Sequence, residues 1–311
     1  IYQCDWSSDV CSTDLKIILP CVIPDVSNII SDVAKKHSLE MIQQYYLSCD
    51  EFRIHSQLTK LGSYFKNLTT LTKKQYTTSY LNFNRRWRTH RLVFVGLLLC
   101  HDLVNRGLVS LGDTKEHSNN KLDFFTRLIN EKIIDADTKT LLVNNMDRIL
   151  NLPNLHVDDV DLSENETCVS LHATENSHRP YKDTYLSVVS ETLYFEDLPA
   201  RFTKNVGRFV TEKTFKPIAH KHPFILIAPY KTLDFIRTLG YKTFSPFINE
   251  SYDEIENDME RMKAILNEVK RLDSLNESDL HDFIENIVPI TEYNFNTLMN
   301  KQLGDFVVKT G

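Results

Sequence analysis

Residues 209–229 read FVTEKTFKPIAHKHPFILIAP, a capped helix start running into an apolar strand, and this order decides the fold class. Thr211 is a natural N-cap residue. Glu212 and Lys213 fall in the first helical turn, where backbone N–H groups lack partners and the helix dipole favours anions. Such a helix start suits a phosphate-bearing ligand. Phe215 and Ile218 are expected in the core, which leaves Glu212 and Lys213 to face a crevice. Pro217 lies beyond the first turn, so it is expected to kink or shorten the helix. His220 and His222 form an i, i+2 pair with no third ligand in view, which predicts a surface role rather than a metal site.

Upstream, TYLSVVSETL (residues 184–193) is a β-branched run suited to a central strand, closing with Ser190 and Glu191. A short strand at 80–83 leads into NRRWRTHR (residues 84–91) and then an apolar helix over 89–106, which Gly107 is expected to end before a strand at 108–111. Strand, loop, helix and strand in that order form the crossover of a parallel sheet. Downstream come a helix at 232–239 ended by Gly240 and a short strand at 241–244. The alternation over 77–247 therefore predicts an α/β fold with a doubly wound parallel sheet. Its ligand crevice is expected at the carboxyl ends of the strands, where 84–91, 190–191 and 211–213 all fall.

The flanks are less regular. A strand is expected at 16–23, a helix at 27–47, and a weaker helical pattern at 58–72. Residues 122–150 carry helical periodicity with a break at 135–137, and 154–180 are polar and loop-like. From residue 251 the chain reads as helical, with Ile255, Met259, Met262, Ile265, Leu266 and Val269 as the buried stripe. Four segments result: a leader (1–15), a short N-terminal remnant (16–76), a Rossmann-like domain (77–250) and a helical C-terminal extension (251–311).

The 311 residues are 41% hydrophobic and 25% charged, enough for two cores, and the formal net charge of -6 disfavours nucleic acid and membrane surfaces as partners. Residues 92–100 form an apolar run about half the length a bilayer span requires. Residues 5–15 (DWSSDVCSTDL) resemble the conceptual translation of a common short-read sequencing adapter, differing only at Thr13, so the leader is set aside and the gene is expected to have been cut near Lys16. Cys21, Cys49, Cys100 and Cys168 then remain, scattered and without zinc or redox spacing. That usage fits a reducing compartment, and a cytoplasmic location is expected. The Asn-X-Ser/Thr triplets at Asn67, Asn165, Asn249 and Asn276 are read as chance occurrences.

NRRWRTHR places four arginines and a histidine in eight residues between a strand and a helix. The guanidinium fork suits phosphate, and the helix dipole would act on the same anion. No glycine-rich phosphate fingerprint accompanies it. The order SVVSETL, FVTEKTFKPIA, HPFILIAP is similar to the donor-binding half of glycosyltransferases of the two-domain GT-B fold, particularly the fucosyltransferase family. Val210, Thr211, Glu212 and Lys213 match that family's YVTEK motif, with Phe209 in place of tyrosine. The chain also resembles uncharacterised bacterial and phage proteins with NRR–HR and TEKTFKP segments. The departures are Ala228 and Pro229 at a turn where the family has glycine, and Thr192 where it has asparagine.

The resemblance implies a glycosyltransferase that binds a nucleotide-diphosphate sugar as co-substrate, needs no other cofactor, and transfers the sugar to a hydroxyl of a glycan or other acceptor. Lys213 and an arginine of the basic segment would hold the diphosphate, and Glu212 the ribose. The candidate donor site comprises Asn84, Arg85, Arg86, Arg88, His90, Arg91, Ser190, Glu191, Thr211, Glu212 and Lys213. On this resemblance 77–250 would be the nucleotide-sugar-binding domain and 16–76 the remnant of the acceptor-side domain. The general base would come from that other domain and is unassigned, so the chain itself could be an inactive fragment. Two alternatives stand beside this reading. One is a non-catalytic sugar- or nucleotide-binding or structural phage protein on the same fold. The other is a metal-dependent GT-A enzyme using Asp135 and Asp137 or Asp159 and Asp161, although neither pair follows a convincing strand.

Overall fold

The computed structural model describes residues 16–19, 43–47, 49–84, 88–111, 121–152, 171–195 and 210–309. Strands β1 (Lys16–Leu19) and β2 (Gln43–Leu47) pair in parallel, followed by helices α1 (Cys49–Lys60) and α2 (Gly62–Lys66). Next come β3 (Tyr80–Asn82), α3 (Thr89–Cys100) and β4 (Gly107–Val109). Helices α4 (Lys121–Asn130), α5 (Ala136–Asn144), α6 (Met146–Leu150) and α7 (Glu175–Asp183) lead to β5 (Leu186–Ser190). After β5 come α8 (Glu212–Ala219), β6 (Phe224–Ile227), α9 (Thr232–Thr238), α10 (Asp258–Asp273), α11 (Glu277–Asn300) and β7 (Val307–Lys309).

The fold is α/β, with a four-stranded parallel sheet in the order β4-β3-β5-β6 that is compatible with a Rossmann-like arrangement. Every residue of β5 and β6 is buried, as expected of parallel strands covered on both faces, which read as continuous apolar runs. Each fully buried Val, Ile, Leu or Phe there contributes about 1.5–3 kcal/mol. Helix α3 is buried from His90 to Leu99, so it lies inside the molecule rather than on it. Gly107 allows the closest strand approach: a Cβ there would lie 2.5 Å from the ring of Tyr80, its partner across β3 and β4. From β3 the chain steps outward to β4, then returns across β3 to β5 on its other side. The connections at the carboxyl ends of β3 and β5 therefore leave in opposite directions, and a crevice opens between them.

Several sequence expectations are corrected. Residues 43–47, expected to be helical, form β2, because this segment pairs with β1 on one side and antiparallel with β7 on the other. Thus the chain's last strand completes its first sheet, and residues 251–309 are not helical throughout. The helix after β2 starts at Cys49, well before residue 58. Residues 175–183 are a helix, not loop, because the Thr174 side chain accepts the Ser177 N–H and caps it. Helix α3 ends at Cys100, not 106; Asp102 turns the chain with φ 56°, and Gly107 opens β4. No strand forms at 241–244: the Asn294 side chain takes both the N–H and the carbonyl of Lys242, at 2.8 Å each, which removes the groups a ladder needs. Residues 1–15 and most of the 27–47 segment lie outside the described residues.

Other expectations match the structure. Gly240 does follow α9 with φ 92°, and Met259, Met262, Ile265, Leu266 and Val269 are buried on α10, with Ile255 half-buried before it. Among the described residues no helix is long and apolar enough to cross a membrane.

Candidate functional site

The site is organised by Glu191, the residue after β5, which is fully buried. Its carboxylate accepts the Thr211 N–H at 3.0 Å and the Thr211 hydroxyl at 2.7 Å, the Thr214 hydroxyl at 2.5 Å and the Thr192 N–H at 3.1 Å. It therefore serves as the anion at the start of α8, where charge and dipole reinforce each other. Thr211 is the N-cap residue by backbone position, yet its side chain caps no helix N–H, because its hydroxyl is turned to Glu191. Phe215 and Ile218 are buried below, and the helix runs to Ala219 with Pro217 inside it.

On the other side, the start of α3 is bound to the same strand end. His90 Nε2–H donates to the Glu191 carbonyl at 2.9 Å, and Arg91 Nη2 donates to the Ser190 and Glu191 carbonyls at 3.3 and 3.2 Å. Burial, reinforced by the Arg91 charge, pushes the His90 imidazole down to about 3, so it is neutral at physiological pH. It cannot serve as a cation for phosphate. Asn84 is likewise buried: its amide donates to Asn82 Oδ1 at 2.6 Å, and Asn82 Nδ2 donates to the Val188 carbonyl at 2.6 Å and to Ser190 Oγ at 3.2 Å. Ser110 Oγ accepts the Asn84 N–H at 2.9 Å. These side chains join β3, β4 and β5 at their carboxyl ends and hold the crevice open.

The cleft itself encloses about 620 Å³, part of it continuous with solvent. Leu81, Phe83, Val188, Val189, Tyr181 and Pro217 supply its apolar wall, and Arg91, Lys213, Lys216 and Glu212 its charged wall. Lys213 Nζ donates to Glu212 Oε1 at 2.7 Å, to Thr211 Oγ1 at 3.1 Å and to Thr192 Oγ1 at 3.3 Å. Three cations against one carboxylate give this wall a positive balance suited to an anion.

Asp50, in the first turn of α1, lies close enough to feel these charges. Burial chiefly, then the charges of Glu212 and Glu191, raise its carboxyl above the usual aspartate value, against the lowering effect of Arg53 and Lys213.

The three predicted segments thus meet at one strand end. Ser190, Glu191, Thr211, Asn84 and His90 build its frame, while Arg91, Glu212 and Lys213 line the cleft, and Arg88 is exposed at the start of α3. Arg85 and Arg86 lie outside the described residues, as do Asp159 and Asp161. Asp135 caps α5 through the Thr138 N–H and pairs with Lys263 at 2.9 Å, and among the described residues no group of three His, Cys, Asp or Glu side chains is placed to hold a metal ion. Sequence reasoning missed Asn82, whose signal is a polar residue inside the apolar run Y-L-N-F-N, and Asp50, Phe83, Tyr181 and Lys216, which carry no local signal. It also placed His220 and His222 on the surface, whereas both are buried. His222 sits between the Ser187 hydroxyl at 2.8 Å and the Thr184 carbonyl at 3.1 Å, and His220 stacks on Tyr181. No protein-family model matches the chain, and neither the curated proteins nor the solved structures searched include a match.

Proposed function

We propose that the cleft binds the diphosphate of a nucleotide sugar and that the chain is a glycosyltransferase acting on an acceptor hydroxyl, with β3 to β6 as the core of a doubly wound, GT-B-like donor domain. The observation that carries this reading is the position of Arg91, Lys213 and Lys216 around one cleft at the point where the strand order turns back. The start of α8 and Lys213 hold the leaving diphosphate as its charge develops. Glu191 acts here through Thr211 and Thr214, by fixing the helix start, rather than by touching a ribose. Asp50 is not among the residues lining the cleft but lies near enough to feel Glu212 and Lys213, and in this proposal it takes the proton of the acceptor hydroxyl as that oxygen bonds to the anomeric carbon. The bond from that carbon to the diphosphate breaks, and the diphosphate leaves with the electron pair.

Calorimetry with nucleoside diphosphates tests the donor site. Lys213→Ala and Lys216→Ala are each expected to weaken binding about tenfold or more, the loss of one charge-assisted contact. Wild-type affinity in both variants, or no binding by the wild type, refutes the assignment.

A further inference from the structure

Beside the cleft, α7 and the end of α8 are joined by a group of buried aromatic rings that the proposed chemistry does not use. Tyr181 lies flat on His220, with ring centroids 3.9 Å apart and planes 8° apart, and His178 stacks on His220 at 5.5 Å. The edges of Phe65 and Tyr64 close on His220 and His178, and His222 meets Tyr181 edge-on at 5.5 Å. His220 Nδ1–H donates to the Lys216 carbonyl at 2.9 Å, which leaves Nε2 as a buried acceptor with no hydrogen-bond partner. His178 is fully buried, and neither of its ring nitrogens has a hydrogen-bond partner. Tyr181 and Lys216 also line the cleft, so the same contacts fix one of its sides.

We propose that His178 and His220 are positioning residues that form a proton-sensitive latch: as neutral imidazoles they hold α7 and Tyr181 against α8, and protonation releases that side of the cleft. A proton on either ring would place a charge in a stack where His220 Nε2 and both ring nitrogens of His178 meet no acceptor. The charges around the stack give little relief. On α7, Lys182 opposes protonation of His178 and Glu175 favours it; on and after α8, Lys216 and His222 oppose protonation of His220. Lys221 is engaged elsewhere, with the Lys66 and Leu68 carbonyls and with Glu292 at 3.1 Å.

Burial holds His178 at about 4 and His220 well below the usual imidazole value. An opened segment, with ordinary histidines near 6.5, binds protons that the closed stack refuses, so closure is complete above that pH and weakens as pH falls toward 4. One pH unit below 6.5, each histidine multiplies the opening equilibrium by about tenfold. The consequence for ligand binding rests on the cleft being the donor site; the latch itself does not.

Hydrogen exchange, corrected for intrinsic rates, tests the latch on the full chain at pH 7.5 and 5.5. Protection over 175–183 is expected to fall about tenfold or more at pH 5.5 and to lie well below that of β5 and β6, which exchange on global unfolding, and His178→Phe, whose ring cannot be protonated, reduces that fall about tenfold. Unchanged protection, an equal fall in wild type and variant, or loss of the whole sheet together overturns the latch. If His178→Phe does not fold, the wild-type imidazole resonances decide. Histidines 178 and 220 titrating near 6.5 in a fully protected protein also overturn it. Calorimetry with inorganic pyrophosphate separates the two ideas. Binding at pH 7.5 that weakens at 5.5 more in wild type than in His178→Phe supports both, and no binding at pH 7.5 refutes the donor-site reading while exchange alone decides the latch.

Discussion

Glu191 holds Thr211 at two points, accepting its N–H at 3.0 Å and its hydroxyl at 2.7 Å, and so ties the end of β5 to the start of α8. A carboxylate is required because Glu191 receives only donors, four of them in all. In Glu191→Gln an amide N–H₂ would face those donors. The expected loss is about 2–4 kcal/mol in urea unfolding, combining a weakened charge-assisted bond with an unmatched buried donor. Thr214→Val removes one donor and leaves three, so a milder loss of about 1–2 kcal/mol is expected. Wild-type stability in Glu191→Gln would show that the carboxylate does not organise the site.

Asp50 is predicted to act on the acceptor rather than the donor. Asp50→Asn is expected to lower kcat by about 10²–10⁴-fold, as for loss of a general base, while donor affinity stays within about twofold. Its carboxyl is raised, chiefly by burial, so the reactive carboxylate accumulates only above that raised value. The wild-type rate should therefore climb with pH as this carboxyl ionises, and Asp50→Asn should lose this limb. An unchanged pH–rate profile in the variant would remove Asp50 from the mechanism.

The parts of the fold that were legible in the sequence are those decided locally. Residues 186–190, 212–219 and 224–227 show their type through apolar continuity and a helix-start residue, and their order implies parallel pairing. Gln43–Leu47 was misread because its strand state depends on β1 and β7, the latter more than 250 residues away in sequence. Likewise the turn at Lys242 depends on Asn294. At the site, motif position located Thr211, Glu212 and Lys213 but not what their polar groups do. Whether Glu191 meets a ligand or a helix start depends on how α8 returns to the sheet. Burial of His220 and His222 is equally non-local, since the rings that cover them come from α2 and α7.

Acid should destabilise the protein before its ordinary carboxylates titrate. Burial holds His90 and His222 at about 3, so between pH 6.5 and 3 the unfolded chain binds protons that the folded chain does not. Each contributes a loss of about 1.4 kcal/mol per pH unit over that window. Asp253, raised to about 6 by burial, works the other way: below pH 6 the folded state binds its proton first, offsetting about one histidine. Stability is therefore expected to be level above pH 7 and to fall by about 1 kcal/mol between pH 6.5 and 5.5, before the latch histidines add to it. Urea midpoints at these pH values measure this, and a flat profile would refute it.

The buried pair of Glu51 and Lys301 is predicted to fasten the C-terminal segment, and so β7, to α1. Glu51 is fully buried, and its Oε1 accepts Lys301 Nζ at 2.5 Å and the Tyr241 hydroxyl at 2.5 Å, while Oε2 has no hydrogen-bond partner. Burial and the Glu51 charge hold the Tyr241 phenol well above its usual value, so it remains a donor. Lys301→Met would leave a carboxylate with one neutral donor in a dry site, at an expected cost of about 3–5 kcal/mol. Removing both charges is a different matter, because desolvation of the pair offsets much of its attraction. Glu51→Met combined with Lys301→Met is therefore expected to lie within about 2 kcal/mol of wild type, the residual loss coming from Tyr241. A double-mutant cycle then gives a coupling of about 2 kcal/mol or more. Additive losses would mean that the two side chains are neighbours without being partners. In Lys301→Met, exchange protection should fall first in β7 and β2, since β7 is the strand this pair helps to keep in place.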